Sequence, residues 1–127
     1  MKFRIQKETK PRLSTFGKYK AVTVHQRTVE TDQLLKEVCE QNPLSEGVMT
    51  AAIISLSETI MHHLREGDKV RLREFGLLKL EIESDKVDDP KDFKPRKHIR
   101  GVRLHFIPES EKGKPMLYKH ISFTKER

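Results

Sequence analysis

Hydrophobic and polar positions along the chain follow two periods. Residues 2–8 (KFRIQKE) set Phe3 and Ile5 two apart among polar neighbours, and residues 19–29 (YKAVTVHQRTV) alternate again with many β-branched side chains. Period two predicts strands in both. Between them, TKPRLSTFGK (9–18) carries Pro11, Ser14 and Gly17 and predicts a loop. The period then lengthens. Leu34, Leu35, Val38 and Cys39 recur at helical spacing, with the start at Glu30 or Thr31 and Asp32 in the first turn, where a negative charge suits the helix dipole. Pro43 ends that helix and restricts Asn42. Ser45 offers an N-cap for a second helix from about Glu46 to Glu66. Val48, Ala52, Leu56, Ile60 and His63/Leu64 form its apolar stripe, widened by Met49, Ile53 and Met61.

Gly67 follows as the residue past the helix end, where a positive φ is wanted. Val70 and Leu72 alternate with Lys69, Arg71 and Arg73; Phe75-Gly76 marks a tight corner; Leu78, Leu80 and Ile82 alternate with Lys79, Glu81 and Glu83. The pattern predicts a β-hairpin. Residues 84–98 (SDKVDDPKDFKPRKH) have little apolar content, two prolines and charge of both signs, and predict an excursion from the core. Residues 99–107 (IRGVRLHFI) return as a strand with Val102, Leu104 and Phe106 on one face and Arg103 and His105 on the other. Residues 108–115 (PESEKGKP) predict a loop, and 116–126 (MLYKHISFTKE) a last strand. The order predicts an α+β domain, a two-helix pair packed on a small antiparallel sheet. Exposed edge strands at both chain ends favour aggregation, so the N-terminal and C-terminal strands are expected to pair.

Length and charge sharpen this picture. A chain of 127 residues suits one domain, and 35% hydrophobic residues imply a modest core supplemented by association. No apolar run approaches a membrane span or a secretory leader, and the lone Cys39 excludes an intrachain disulfide framework, so an intracellular location is expected. Cys39 itself is read as a small core residue. The formal charge is +7, which favours anionic partners. It is unevenly spread. Residues 1–27 hold eight Lys/Arg and one acid, residues 28–66 two and seven, residues 67–108 eleven and eight, and residues 109–127 five and three. An acidic helical segment is thus flanked by basic ones.

The stretch from Thr31 to Ile82 resembles the bacterial histone-like HU/IHF family. The resemblance lies in Leu44-Ser45, in Gly67-Asp68-Lys69-Val70, Leu72 and Phe75-Gly76, and in Leu78-Leu80-Ile82. The later VRLHFIP (102–108) resembles the family's return strand. It covers about residues 30–108. The strands at 1–29 and 109–127 resemble those of an elongated HU-like subgroup. The arm departs from the family's Gly-Arg-Asn-Pro-x-Thr-Gly: this chain has DKVDDPKDFKPRKHIRG, with Pro90 and Pro95 but also Glu83, Asp85, Asp88, Asp89 and Asp92. The resemblance implies an HU-like fold with a projecting β-arm at about 84–98. It also implies a homodimer intertwined through its helices, binding double-stranded DNA in the minor groove with little sequence preference and bending it. Leu34, Val38, Val48, Ala52, Leu56, Ile60, Leu64 and Phe75 are then the expected core and dimer residues, and the location is the bacterial nucleoid in the cytoplasm.

Five cations within ten residues, Lys94, Arg96, Lys97, Arg100 and Arg103, suit phosphate contacts from a projecting ribbon, with Lys91 beside them and Pro95 as a candidate wedge. The competing reading is a solvated hairpin tip balancing its acids. Strand parity places Arg71, Arg73, Lys79, Arg103 and His105 on one sheet face, diluted by Glu74, Glu81 and Glu83. The cations Lys2, Arg4, Lys7, Lys10, Arg12, Lys18 and Lys20 either widen the footprint or form an ordinary exposed surface.

Catalytic and metal chemistry find little support. His62 and His63 point about 100° apart on a helix and lack a third ligand, and residues 85–92 lack the Gly and closing Glu of a calcium loop. No nucleophile–base set, P-loop or glycine-rich phosphate motif is present, so no enzyme, cofactor or small-molecule substrate is expected. The alternative to a DNA-binding dimer is a protein-interaction module on an HU scaffold that has lost bending; binding to an acidic polysaccharide rests on charge alone.

Overall fold

The structure, a computed structural model, describes residues 1–127, the side chain of Lys114 excepted. The chain forms two compact units, one from Met1–Leu34 with Lys119–Arg127 and one from Leu35–Tyr118.

The terminal unit is built on a three-stranded sheet with the first strand of the chain at its centre. Strands β1 (Lys2–Lys7) and β2 (Tyr19–Val24) pair antiparallel from Lys2↔Val24 to Lys7↔Tyr19. The connection folds on itself: Gly17, at φ +81°, donates its N–H to the Glu8 carbonyl at 3.1 Å, and Glu8 Oε1 accepts the Lys10 N–H at 3.0 Å. Strand β8 (Thr124–Lys125) joins β1 in parallel, with Thr124 N–H donating to Met1 O at 3.0 Å and Glu126 N–H to Phe3 O at 2.8 Å. The two chain ends pair as expected. The C-terminal strand is much shorter than the expected 116–126, since Met116–Tyr118 instead form a 3₁₀ turn.

Helix α1 (Thr31–Gln41) runs across the boundary of the two units and stops before Pro43. Helix α2 (Glu46–Arg65) begins where expected: Ser45 Oγ accepts the Val48 N–H at 3.1 Å. It also ends where expected. Gly67 takes φ +91°, and Gly67 and Asp68 donate back to the carbonyls of Leu64 and His63 at 3.1 and 3.0 Å, a Schellman ending.

Helix α2 lies against β3 (Val70–Leu72) and β4 (Gly76–Ser84), which form the sheet β3-β4-β5 with β5 (Ile99–Pro108). The corner differs in detail from the expectation at Phe75-Gly76. Phe75 N–H closes the turn onto Leu72 O at 3.1 Å, and the left-handed residue is Glu74, at φ 66°. Gly76 serves packing. A Cβ there would lie 2.5 Å from both the Ile107 carbonyl oxygen and the Phe106 ring, which crosses over it to meet Phe75 with ring centroids 4.9 Å apart.

Two further corrections concern the connections. Residues 108–115 are not simply a loop: β6 (Ser110–Glu111) and β7 (Lys114–Pro115) pair through Lys112-Gly113, both at positive φ, the signature of a two-residue hairpin turn. The segment between β4 and β5 is not a β-ribbon. It holds a 3₁₀ turn at Pro90–Asp92 and a single helical turn, α3 (Pro95–His98). Each proline opens its turn, a position where a missing N–H costs nothing.

Candidate nucleic-acid interface

The register of β3-β4-β5 sorts the side chains of this sheet. Val70, Leu72, Leu78, Leu80, Ile82, Val102, Leu104 and Phe106 share one face. Arg71, Lys79, Arg103 and His105 share the other with Leu77, Glu81 and Ile107, as strand parity predicts. Arg73 does not join them, because β3 ends at Leu72 and Arg73 stands in the turn.

Two of the four basic side chains on this face are compensated. Arg71 donates to Glu109 at 2.8 Å, and Lys79 lies 2.9 Å from Glu81. Glu81 is thereby held below the usual carboxylate range, chiefly by its hydrogen bond to Lys79 and then by the charge of the same ammonium, with His105 and Arg103 adding to the effect. At the far end of the sheet the register shifts between Glu83 and Ser84, so Arg100 falls in a bulge. There it hydrogen-bonds Asp85, whose carboxylate pushes the guanidinium up from its ordinary value.

The loop beyond the bulge is a compact knob rather than an extended arm. Asp89 Oδ1 accepts the Lys91 N–H at 2.9 Å, the Lys94 N–H donates to His98 Nδ1 at 2.9 Å, and Phe93 lies against the His98 ring at 5.4 Å. Val87, Phe93 and His98 are half-buried. Lys91, Lys94, Arg96 and Lys97 stand exposed on it, and among the described residues none of the four has an ion-pair partner; Pro95 is exposed at the start of α3. The sequence-predicted cations thus divide: Arg71, Lys79 and Arg100 are held by carboxylates, whereas the knob cations, and with them Arg73 in the turn and Arg103 on β5, have no ion-pair partner among the described residues. Sequence reasoning missed Glu109, which lies 38 positions from Arg71 with no local signal to connect them.

The expected core and dimer residues are mostly uncovered in one chain. Among the described residues only Leu35 (5% exposed) and Leu64 (8%) are buried apolar side chains. Ile60 is half-buried, while Ala52, Leu34, Val38, Val48 (60%), Leu56 and Phe75 are exposed, as are Ile82, Val102 and Leu104 on the apolar sheet face. Cys39 is half-buried. His62 and His63 meet edge-on at 5.5 Å, and His63 Nδ1 lies 2.9 Å from Asp68. Among the described residues no group of three metal-ligating side chains converges, and no helix is long and apolar enough to cross a membrane.

A helical segment feeding a three-stranded antiparallel sheet with one basic face and a charged distal loop is an α+β arrangement of the HU-like class. The chain belongs to the family of HU domains fused to a winged helix-turn-helix, Ig or glycine-rich motif, whose model matches residues 1–125. It is similar in fold to a candidate bacterial DNA-binding protein from Bacteroides vulgatus, at 10% identity and a TM-score of 0.57; the match covers 99% of this chain and 49% of that one. The chain therefore spans about half the length of that protein. No curated protein matches it in sequence.

Proposed function

We propose that the chain is a histone-like DNA-binding protein of the bacterial nucleoid, acting as a homodimer that grips duplex DNA through its backbone and minor groove with little sequence preference. The observation that carries this reading is the knob between β4 and β5, where Lys91, Lys94, Arg96 and Lys97 project without carboxylate partners from an HU-like sheet. Such cations position a protein on phosphates and carry no base code. The dimer rests on the uncovered apolar surface, because burial of one large aliphatic side chain is worth about 1.5–3 kcal/mol and α2 leaves several exposed. Bending requires a wedge or enough contacts to offset duplex deformation, and exposed Pro95 is the candidate wedge.

The test is binding of the chain to two unrelated duplexes of ~30 base pairs across a salt series, a length suited to architectural sites. Similar affinity for both, falling steeply with salt, is expected. Changing Lys94, Arg96 and Lys97 together to Gln is expected to reduce the slope of log K against log salt by about 2.7 for each protomer that engages the duplex, at about 0.9 per phosphate. An unchanged slope removes the knob from the contact set.

A second reading is favoured by one feature. Asp88, Asp89 and Asp92 share the knob with its cations, and Arg71, Lys79 and Arg100 are already paired. A scaffold so compensated suits a protein partner, and absence of duplex binding even at low salt would select that reading.

A further inference from the structure

The two units differ sharply in charge. The HU-like unit, Leu35–Tyr118, contains fifteen Lys/Arg and fifteen Asp/Glu, so its formal charge is zero. The terminal unit, Met1–Leu34 with Lys119–Arg127, contains eleven Lys/Arg and four Asp/Glu, and so carries the whole +7 of the chain. Its cations are also open. Only Lys20 is near a carboxylate, at 3.9 Å from Glu8, and Lys2, Arg4, Lys7, Lys10, Arg12, Lys18, Arg27, Lys119, Lys125 and Arg127 have no ion-pair partner among the described residues.

Strand register arranges part of this charge on one surface. Pairing of Arg4 with Val22 and of Gln6 with Lys20 puts Lys2, Arg4, Gln6, Lys20, Val22 and Val24 on one face of the sheet. Phe3, Ile5, Tyr19 and Ala21 lie on the other. We infer that the Lys2–Arg4–Lys20 face is a second DNA-binding surface, specific for the duplex form. An unpaired strand is held by stacking its bases on aromatic side chains, and this face has none, since Phe3 and Tyr19 point the other way. Lys2 and Arg4, two residues apart on β1, with Lys20 opposite Gln6 on β2, suit the phosphates of a duplex, which require only positive charge at fixed spacing; Lys20 stays 60% exposed, and at 3.9 Å Glu8 is beyond hydrogen-bonding distance. In this arrangement the elongated terminus supplies the long-range attraction that the neutral HU-like unit lacks. The inference rests on the DNA-binding reading above.

The experiment uses the full chain, the same duplexes, and single strands of equal length. Lys2→Gln, Arg4→Gln and Lys20→Gln together are expected to lower the salt slope for duplex by about 2.7 for each protomer that engages it, at about 0.9 per lost phosphate contact. A charge-conserving variant, Lys2→Arg, Arg4→Lys and Lys20→Arg, is expected to keep the slope, and matching circular dichroism for both variants separates loss of contact from loss of fold. Duplex binding by the unsubstituted chain with an unchanged slope in the Gln variant overturns the terminal surface and leaves the knob reading standing. No duplex binding by the unsubstituted chain overturns the DNA reading itself. Tighter binding of single strand than of duplex overturns the assignment to duplex.

Discussion

Arg71 donates through Nη1 to Oε2 of Glu109 at 2.8 Å, joining the first strand of the HU-like sheet to the residue just past its last strand. An exposed cation expected to face DNA is thus engaged by a carboxylate of its own chain. Removing that carboxylate frees the guanidinium. Glu109→Gln is expected to raise duplex affinity and to steepen the salt slope by about 0.9 per protomer, the value for one added phosphate contact on each. The salt series measures it directly. An unaltered slope would mean that Arg71 does not reach the nucleic acid.

Lys79 and Glu81 make a titration prediction. The ammonium lies 2.9 Å from the carboxylate and holds its pKa below the ordinary 4.5. A carboxyl group depressed in the folded state adds stability that is fully present above its unfolded value. That contribution is lost as the pH falls through the lower folded value. Lys79→Gln is therefore expected to move the Glu81 titration upward toward 4.5, as followed by carboxyl-carbon NMR. A midpoint that stays in place would assign the depression to His105 and Arg103 instead.

Gly76 tolerates no side chain. A Cβ would meet the Ile107 carbonyl and the Phe106 ring at 2.5 Å, and one of these contacts is backbone. Gly76→Ala is expected to destabilise the fold by about 1–3 kcal/mol, in the range for overpacking a filled site. Urea unfolding measures this as a lower midpoint at constant slope. An unchanged midpoint would show that the ring moves aside at little cost.

Val48 and Leu56 lie on the same side of α2, eight residues apart, and both are exposed in a single chain. Val48→Glu with Leu56→Glu is expected to abolish the dimer, since each charge would be carried into an apolar seam. Analytical ultracentrifugation reads the outcome as the mass of one chain in place of two. An unsubstituted chain that sediments as a monomer at micromolar concentration would contradict the dimer outright.

The legible parts of this protein are those governed by neighbours in sequence. The extent of α2, its Ser45 cap and its Gly67 ending depend on residues within one or two turns, and all three appear where the pattern places them. The same locality makes the parity of β3, β4 and β5 readable, and with it the shared face of Arg71, Lys79, Arg103 and His105. The HU-like resemblance rests on that local punctuation, and the family match over residues 1–125 agrees with it.

Tertiary structure decided the rest, because the controlling partners are distant or compete with a local preference. Periodicity could not show that the Phe106 ring would lie over Gly76, or that Glu74 would take the left-handed turn position. The prolines at 90 and 95 are compatible with an extended arm and with helical starts; the half-buried Val87, Phe93 and His98 accompany the second outcome. Residues 116–126 alternate well enough for a strand, yet only Thr124–Lys125 find backbone partners, on β1. Charge shows the same division. Sequence determined that +7 had to reside somewhere on the chain. Folding brought the two basic ends together in one unit and set carboxylates against Arg71 and Arg100 in the other, since the distance between such charges is set by chain pairing and not by their separation in sequence.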